Sequence, residues 1–411
     1  MTNQPSKMRL RDLPLNVWAV SITSFLTDIS SEMVINILPL FLSNVLGIKT
    51  NVIGIIEGTA EATASLLKLF SGWLSDKLRQ RKWLAVLGYG ISALSKPFFF
   101  FADNWVLVGL VRWSDRVGKG IRTAPRDALV ADAIDEHHRG FAFGFHRAAD
   151  TAGAMIGLIV ALVVIWIAQS GNLKLSRPTF QTVVLISLVP AFLAVISLIM
   201  IAKDVPVLKQ RPMPKFGFKG LGKPFIVFLS IVSIFVMGNS SDAFLVLRAQ
   251  ERGLNVIGIL GMLITFNLIY TLTSTPLGAL SDRIGRRKII AWGWVFYAIV
   301  YLGFGLAQTA WQIWGLYSLY GLYYGLTYGT MNAMIADIVP AELRGTAYGT
   351  YNAVIGILTF PASIIAGILW EGVGSWHGLG APAPFIFGGT LAFAAAMAMM
   401  IWKPEEFRVK G

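Results

Sequence analysis

The sequence of 411 residues contains no cysteine, which excludes disulfides and thiolate metal sites. Charged residues are also scarce. Asp, Glu, Lys and Arg make up 14% of the chain and hydrophobic residues 55%, whereas an average soluble domain carries about 25% charged residues. Together with a mean hydropathy of +0.64, this composition indicates that lipid rather than water surrounds most of the chain.

Long apolar runs are abundant. Runs of roughly 20 residues, enough to cross a hydrocarbon core about 30 Å thick, recur from residue 17 almost to the C-terminus. Twelve transmembrane spans are predicted, near 17–45, 53–75, 83–102, 105–131, 141–168, 180–202, 224–248, 255–281, 289–308, 311–337, 344–370 and 384–402. We therefore predict an all-α membrane protein with two pseudo-symmetric six-helix bundles, 1–202 and 224–411, and a cytoplasmic linker at 203–223.

The chain repeats itself at half its length. Ser75 and Asp76 in GWLSDKLRQRK recur as Ser281 and Asp282 in GALSDRIGRRK, 206 positions later. A second stretch recurs 205 positions later, with Asp132, Arg139, Gly140 and Gly144 matching Asp337, Arg344, Gly345 and Gly349. Two homologous membrane bundles predict a transporter whose substrate passes along the interface between them.

A net charge of +13 raises the question of nucleic-acid binding, and the placement of the basic residues answers it. The N-terminus, the even-numbered connections and the C-terminus hold 22 Lys and Arg residues, whereas the odd-numbered connections, in which Arg248 and Arg252 are counted, hold five. This asymmetry follows the positive-inside rule. We predict a monomer in a bacterial inner membrane, with both termini cytoplasmic, the N-terminus retained and no nucleic-acid partner.

Sixteen Asp, Glu, Lys and Arg side chains fall inside predicted spans, away from the first and last positions of each span. The basic ones, all in the first half, are Lys68, Lys96, Arg112, Arg116, Lys119, Arg122, Arg126 and Arg147. The acidic ones are Asp28, Glu32, Glu57, Glu61, Asp115, Asp127, Asp150 and, in the second half, Asp242. An ionised side chain at the centre of a membrane helix costs roughly 2.5 to 3.5 kcal/mol, so these groups are expected to face protein or a water-filled cavity.

Helical spacing places many of these charges on shared faces. The fourth span carries one basic stripe, formed by Arg112, Arg116, Lys119 and Arg126 at offsets of 4, 7 and 14. Asp28 and Glu32 on the first span, like Glu57 and Glu61 on the second, are pairs of like charge one turn apart. Because such pairs repel, they need a nearby cation or a bound proton.

The side chains that the second half is predicted to place at the cavity differ from those of the first half. FLTDISSEM at 25–33 aligns with FVMGNSSDA at 235–243, which pairs Glu32 with Asp242 as predicted cavity groups. In place of the basic stripe, the tenth span has a tyrosine face formed by Tyr317, Tyr320, Tyr324 and Tyr328 at offsets of 3, 7 and 11. A cationic and an aromatic wall favour a substrate with anionic oxygens and a body that tyrosine rings can cover.

GALSDRIGRRK at 278–288 resembles the signature loop of the major facilitator superfamily, Gly-x-x-x-Asp-Arg/Lys-x-Gly-Arg/Lys-Arg/Lys, and GWLSDKLRQRK at 72–82 is similar to its first-half copy. The resemblance implies a rocker-switch carrier in which the motif glycine allows close helix contact and the aspartate latches the cytoplasmic gate. The gating residues so implied are Gly72, Asp76, Gly278, Asp282, Arg283, Gly285 and Arg286. The first copy departs from the pattern, with Arg79 in place of the second glycine and Gln80 in place of a basic residue.

Two further segments bear on this resemblance. Arg112 occupies the place of the family's fourth-span arginine, which the resemblance associates with proton coupling. The segment GAMIGL at 153–158 is similar to the antiporter motif of the fifth span but lacks its proline, which disfavours export.

The leading hypothesis is a secondary active carrier, not an enzyme and without a cofactor, that moves a small organic anion such as a polycarboxylate or an anionic metal chelate. Proton coupling is assigned to Asp28, Glu32, Arg112 and Asp242. The substrate-binding candidates are Asp28, Glu32, Arg112, Arg116, Lys119, Arg122, Arg126, Arg147, Asp150, Asn239, Asp242, Tyr317, Tyr320, Tyr324 and Tyr328. The alternative is a proton-driven efflux carrier for amphiphilic or cationic drugs, and a third class is a membrane receptor or scaffold that transports nothing.

Each of these assignments has a structural alternative. The charges can form an ion-pair network that only supports the bundle, although buried pairs are poor stabilisers. The tyrosine face can be ordinary helix packing. His137 and His138 are interpreted as part of a solvated loop rather than a metal site, and His146 as an interfacial histidine. Gly118 to Gly120 lack the flanking pattern of a phosphate-binding loop.

Overall fold

The computed structural model describes residues 9–78, 80–135, 138–169, 172–204, 220–340 and 343–402, and helices make up most of these ranges. The first-half helices are α1 (Leu15–Ile35), α2 (Thr50–Leu78), α3 (Arg81–Ser95), α4 (Trp105–Asp132), α5 (Arg139–Gln169) and α6 (Arg177–Ile201). The second-half helices are α7 (Gly222–Gly238), α8 (Ala243–Glu251), α9 (Val256–Ile284), α10 (Arg286–Leu306), α11 (Ala310–Ile338), α12 (Arg344–Glu371) and α13 (Ala383–Ile401). Within the described ranges no β-strand forms. Arg79, His137, most of the predicted linker and the side chains of Asp76 and Asp282 lie outside the described residues.

Membrane-spanning character is clear for most of the helices. In the described part of the chain, nine helical segments are long and apolar enough to cross a bilayer. Three further helices, α2, α4 and α11, have 29, 28 and 29 residues but are too polar to join that set. The first two carry the charges singled out above, and the third is rich in Tyr, Gly and Thr. The total of twelve spans stays a prediction.

The chain divides into two compact units. The first unit comprises the described residues of Met1–Leu38, Leu66–Ala168 and Arg177–Met213, and the second those of Pro39–Ser65, Gln169–Ser176 and Pro214–Gly411. The first half of α2, with Glu57 and Glu61, is therefore grouped with the second unit. The predicted limits of two six-helix bundles, 1–202 and 224–411, stay a prediction.

Packing in the first unit depends on small residues. The helix α1 lies against α6, and α3 lies against both α4 and α6. A Cβ atom on Gly88 would lie 2.6 Å from the carbonyl oxygen of Gly118 and 2.7 Å from the backbone nitrogen of Arg122. The backbones of α3 and α4 approach this closely only because glycine has no side chain. The basic side chains of α4 are thereby held next to α3.

Replacing Gly88 with alanine is expected to destabilise the protein by about 1–3 kcal/mol, since both obstructing atoms belong to the backbone and cannot move aside. The melting temperature of the purified protein measures this effect. Gly90→Ala is the matched control, because a Cβ atom there meets nothing within 4 Å. Equal melting temperatures for the two variants would contradict the described contact between α3 and α4.

The predicted seventh span is not one helix. It is interrupted between Gly238 and Ala243, so that Asn239, Ser240 and Ser241 lie between α7 and α8 and Asp242 is the N-cap residue of α8. Short polar side chains compete with the helical backbone for hydrogen bonds, and four of them follow a glycine here. The Ser241 backbone N–H donates to the Ser363 hydroxyl at 3.3 Å. At membrane depth an interrupted helix is tolerated where protein supplies such partners.

The first half of α2 packs along α12 within the second unit. Gly54 lies against the backbone of Ser363, a Cβ atom on Gly58 would lie 3.0 Å from the carbonyl oxygen of Phe360, and one on Gly367 would lie 2.6 Å from the Cα of Asn51. Gly54 and Gly58 are one helical turn apart and therefore share this face. Glu57, next to Gly58 in sequence, is buried in the same region.

The assignment of Arg248 to a connection between spans was wrong. Arg248 lies inside α8 with 0% of its surface exposed. Its guanidinium donates to the carbonyl oxygens of Phe304 at 3.0 Å and Gly305 at 2.8 Å, and it pairs with Glu251. The last carbonyls of a helix have no partner within the helix. Arg248 satisfies those of α10, which a reading of loop charges does not reveal.

Candidate functional site

The ionisable residues of the predicted spans divide unequally between the two units. The first unit holds all eight basic residues and five of the acids, Asp28, Glu32, Asp115, Asp127 and Asp150. The second unit holds the other three acids, Glu57, Glu61 and Asp242. With every group ionised, these positions carry three net positive charges in the first unit and three net negative charges in the second. Over the whole chain the eight basic and eight acidic residues cancel, so their total charge does not reveal this difference between the two units.

Lys96 is a buried cation held by α1. It follows the last residue of α3, and only 2% of its surface is exposed. Its ammonium group donates to the hydroxyls of Ser30 at 2.6 Å and Ser31 at 3.1 Å. Ser30 in turn donates to the carbonyl oxygen of Ser187 on α6 at 2.7 Å. The hydroxyls therefore orient the ammonium inside the first unit, a role the sequence did not assign to them.

Arg122 is fixed by two residues of α3. Its Nη1 donates to the Ser92 hydroxyl at 2.6 Å, and its guanidinium carbon lies 4.6 Å from the centre of the Tyr89 ring. A guanidinium over an aromatic face gains cation–π attraction. The Tyr89 hydroxyl shares a 3.0 Å hydrogen bond with Ser24 of α1. Tyr89 and Ser92 were missed in the sequence because neither residue is charged, although they are three apart on one face of α3.

Arg126 joins three helices. Its Nε and Nη2 donate to one carboxylate oxygen of Asp127 at 2.9 and 2.8 Å. Its Nη1 lies 3.4 Å from the Ser24 hydroxyl of α1 and 4.0 Å from a carboxylate oxygen of Asp150 on α5. His146, one turn before Asp150, lies 3.7 Å from the same carboxylate. The predicted binding residues Arg126 and Asp150 are thus brought together.

Arg112 and Arg116 are buried in the first unit, as are Asp115 and Arg122. Arg112 Nη1 lies 3.8 Å from an oxygen of Asp115. Lys119, on the same predicted stripe, is exposed, and so is Arg147 of α5. Of the four residues of the basic stripe, Arg112 and Arg116 are thus buried, Arg126 is partly buried and Lys119 is exposed.

Asp28 and Glu32 are partly buried on α1. Asn36, one turn later, donates its amide to Glu32 at 2.7 Å. The glycines of GAMIGL let α5 approach this helix, because a Cβ atom on Gly157 would lie 2.5 Å from the carbonyl oxygen of Ile29 and 3.1 Å from Glu32 Cβ. The retained glycines of that segment thus place α5 beside the carboxylate pair.

In the second unit, polar side chains meet at the break between α7 and α8. Asp242, which is exposed, accepts a hydrogen bond from the Tyr320 hydroxyl at 3.1 Å. Asn239 accepts one from the Tyr297 hydroxyl, also at 3.1 Å. Glu57 lies within electrostatic range of Asp242. Tyr297 on α10 was not among the predicted site residues, although its spacing of four from Tyr301 on the same face was visible.

The tyrosine face of α11 combines packing with exposure. Tyr317 and Tyr320 are buried, and their ring centres lie 5.2 and 5.7 Å from that of Phe266 on α9. Tyr324 is partly buried, whereas Tyr328 is 51% exposed. The rings of Tyr317 and Tyr320 are therefore part of the hydrophobic core of the second unit. Tyr320 additionally directs its hydroxyl to Asp242.

The two repeated motif stretches are joined by ion pairs. Arg286 lies 2.7 Å from Asp337 and also donates to the carbonyl oxygen of Ala333. In the first unit Arg81 pairs with Asp132 and donates to the carbonyl oxygen of Ala128. Arg81, Asp132 and Ala128 each lie 205 positions before Arg286, Asp337 and Ala333. In the motif alignment Gln80 corresponds to Arg286, so in the first unit Arg81 makes the contact that Gln80 cannot make.

The remaining gating candidates have simpler environments. Gly285 has φ of +101°, a conformation that favours glycine over the arginine found at the equivalent position 79. Gly72 is buried, and a Cβ atom on Gly278 would meet nothing within 4 Å. Arg283 is exposed.

Comparisons with known proteins agree with this architecture. The family model described as Major Facilitator Superfamily matches residues 20–268 and 225–410. The uncharacterized MFS-type transporter MJ1317 of Methanocaldococcus jannaschii is 34% identical over 403 residues, which is 95% of each chain. The multi-drug resistance efflux pump PmrA of Streptococcus pneumoniae is 24% identical over 333 residues, covering 77% of this chain and 79% of the pump.

Solved transporter structures share the fold at low identity. A POT family transporter in complex with 5-aminolevulinic acid has a TM-score of 0.78 at 13% identity and covers 97% of this chain and 98% of its own. The nucleoside transporter NupG has a TM-score of 0.71 at 18% identity, with coverages of 94% and 100%. The repeated loop motif, the family match and the full-length relative together establish that this chain belongs to the Major Facilitator Superfamily of integral membrane transporters.

Proposed function

We propose that this transporter is a secondary active carrier of a small organic anion, of the polycarboxylate or anionic metal chelate class, coupled to protons by alternating access. The observation that carries the proposal is the excess of three positive charges among the membrane-depth residues of the first unit. We place the protein in a bacterial inner membrane with both termini in the cytoplasm, as the distribution of basic residues predicts.

The predicted-span positions of the first unit sum to three positive charges, an excess that equals the three exposed cations Lys68, Lys119 and Arg147, and such an excess favours an anion for electrostatic reasons. Charges inside a low-dielectric bundle interact far more strongly than charges in water, and an unbalanced set is costly without a counter-ion. Guanidinium groups bind planar carboxylates through parallel hydrogen bonds, and four arginines lie on α4 alone. An anion with two or more carboxylates would offset the excess.

Proton coupling is supported by the acids that neighbour these arginines. Asp28 and Glu32 lie one turn apart, and binding of one proton removes their mutual repulsion. Arg112 lies beside Asp115, and Asp242 binds the Tyr320 hydroxyl in the second unit. The proposal assigns the exchangeable proton to the Asp28, Glu32, Arg112 and Asp242 set.

A second candidate is efflux of amphiphilic or cationic drugs. It is favoured by the three acids and the tyrosine cluster of the second unit, since carboxylates and aromatic rings both bind organic cations. Relatives named as multidrug efflux pumps support it as well. The first candidate ranks higher because the basic residues at membrane depth outnumber the acids within the first unit.

Uptake into proteoliposomes separates the candidates. With an imposed proton gradient, the leading proposal expects saturable uptake of a di- or tricarboxylate that falls at least about tenfold in Arg116→Ala, since a charge-assisted bond is lost. Lys174→Ala, an exposed loop variant, is the control and should transport normally. Uptake of every carboxylate tested at the level of empty liposomes would overturn the proposal.

The efflux candidate makes the opposite prediction. It expects extrusion of a cationic dye that is lost in Glu32→Gln and unaffected by Arg116→Ala. Under the leading proposal, Glu32→Gln should leave anion exchange intact while abolishing its dependence on the proton gradient. Extrusion of the dye without carboxylate uptake would replace the leading proposal with the second.

A further inference from the structure

Two buried cations of the first unit, Lys96 and Arg122, are not paired with a carboxylate. Lys96 has 2% of its surface exposed and Arg122 has 6%. In the part of the chain that the structure describes, no carboxylate oxygen lies within 4.0 Å of the nitrogen atoms of either side chain. By contrast, Arg126 on the same helix as Arg122 pairs with Asp127 at 2.8 Å.

Neutral hydroxyls hold both cations. The Lys96 ammonium donates to Ser30 at 2.6 Å and to Ser31 at 3.1 Å, both on α1. The Arg122 guanidinium donates to Ser92 of α3 at 2.6 Å. Ser92 lies one turn before Lys96, and the backbone is still helical at Lys96, so the two residues share one face. The structure thus brings both cations to one region between α1, α3 and α4.

The acids closest to these hydroxyls in sequence do not pair with Lys96. Glu32 lies on α1 next to the serines that hold the ammonium, yet its carboxylate accepts the Asn36 amide at 2.7 Å. Glu32, Asp28 and Asp115 act on the ammonium only at longer range. An ammonium gains more from a carboxylate than from a hydroxyl, because Coulomb attraction is strong in a low-dielectric interior. Lys96 therefore keeps the capacity to bind an anion.

The second unit shows that helix packing at these places needs no cation. At the repeat spacing of 205, Gly88 corresponds to Gly293 and Arg122 to Thr327. A Cβ atom on Gly88 would lie 2.7 Å from Arg122 Cβ. One on Gly293 would lie 2.4 Å from Thr327 Cγ2, so the same close contact recurs with a neutral residue. The residue equivalent to Lys96 is a tyrosine, which favours a role in binding for the two charges.

We propose that Lys96 and Arg122 together bind a dicarboxylate, with one carboxylate on each cation. The inference rests on the proposed function and narrows it, from organic anions in general to dicarboxylates. It also adds Lys96, which the sequence did not place among the binding residues. The guanidinium of Arg122 can hold one carboxylate through parallel hydrogen bonds, and the ammonium of Lys96 can hold the other as a point charge.

The low exposure of both side chains favours a ligand with two charges. Water contributes little to their stabilisation, so a bound carboxylate gains strongly from each cation. A ligand with a single carboxylate leaves one of the two cations without an anionic partner. Neighbouring side chains must move to admit the ligand, which agrees with binding during alternating access.

The test is binding by the purified full-length protein, measured by calorimetry at one mildly alkaline pH, where both carboxylates are ionised. Succinate, glutarate and adipate are titrated beside their monoamides, in which a neutral amide of similar size replaces one carboxylate. The wild-type protein is expected to bind at least one dicarboxylate about tenfold more tightly than its monoamide. Lys96→Met and Arg122→Gln should each lose this preference. Lys68→Met, which removes an exposed lysine of the same unit, is the matched control and should keep it.

The melting temperature without ligand separates binding from a purely structural role. Lys96→Met and Arg122→Gln should melt no lower than the wild type, because each removes a buried charge that no carboxylate pairs with. A clearly lower melting temperature for either variant would assign that charge to the fold and reject the proposal. Retention of the dicarboxylate preference in either variant would also reject it.

Failure of this inference and failure of the proposed function give different results. Transport of a dicarboxylate with the same affinity in the wild type and in Lys96→Met rejects the site and leaves the function. Binding of a dicarboxylate that is not transported rejects the function and leaves the site. A wild-type protein that binds none of the three dicarboxylates rejects the site, even if it transports another anion.

Discussion

Replacing Arg126 with alanine is expected to abolish transport of the organic anion, with uptake reduced by about a hundredfold or more, since a charged bond and a positioning contact are lost together. Arg126 connects α4 to Ser24 of α1 and to Asp150 of α5 and forks onto Asp127. Its removal leaves two carboxylates in the first unit without this guanidinium. Initial uptake rates in proteoliposomes, corrected for the amount of reconstituted protein, measure the effect.

A loss of folding would produce the same result, so two further variants are needed. Arg126→Lys keeps the charge but removes the fork, and it should fold while transporting poorly. Combining Arg126→Ala with Asp150→Asn removes both charges of the pair and should melt at a higher temperature than Arg126→Ala alone, without regaining transport. Full transport in this double variant would show that Arg126 supports the fold only and does not contact the substrate.

Replacing Arg248 with alanine is expected to destabilise the protein by about 3–5 kcal/mol, because several buried carbonyl oxygens lose their donor and each unsatisfied buried polar group costs about 1–3 kcal/mol. The variant removes one of the two ion pairs of Glu251 and leaves the carbonyl oxygens of Phe304, Gly305 and Ala307, at the end of α10, without this donor. The loss should appear as a much lower melting temperature and a low yield of folded protein.

Arg252→Ala is the matched control, because Arg252 lies one turn later and is partly exposed, with contacts to Gln308 and Glu251. Exposed pairs contribute only about 0–1 kcal/mol, so this variant should melt close to the wild type. Arg248→Lys should fall between the two, since one ammonium cannot reach several carbonyls in a fork. Comparable stability of the Arg248 and Arg252 alanine variants would refute the capping role.

Helical class and family were predictable because they depend on patterns that the bilayer enforces along the chain. Apolar length, the asymmetry of basic residues and the repeated motif around Asp76 and Asp282 are all properties of sequence spacing. The family was identified from that motif, and the matches over the chain confirm it. The ion pairs of Arg81 and Arg286 with their aspartates follow the same repeat.

The surroundings of individual charges were less predictable, since they depend on tertiary contacts. Lys96 is held by uncharged serines of another helix, and Arg248 by carbonyl oxygens that no side-chain pattern reveals. The interruption of the seventh span had a sequence signal in the Gly-Asn-Ser-Ser-Asp run, but its surrounding apolar residues favoured a continuous helix. Glu57 is the clearest case of a residue whose surroundings the sequence could not predict, because its helix α2 begins in the second unit and ends in the first.

If the arginines of the first unit bind an anionic substrate, the purified wild-type protein should bind that anion at equilibrium in the absence of transport. Di- and tricarboxylates, their metal chelates and lipophilic cations would be titrated in turn by calorimetry at two pH values. We expect saturable binding of at least one polycarboxylate or chelate, and weaker binding of the same ligand by Arg126→Lys. Binding of lipophilic cations alone, unaffected by that substitution, would contradict it.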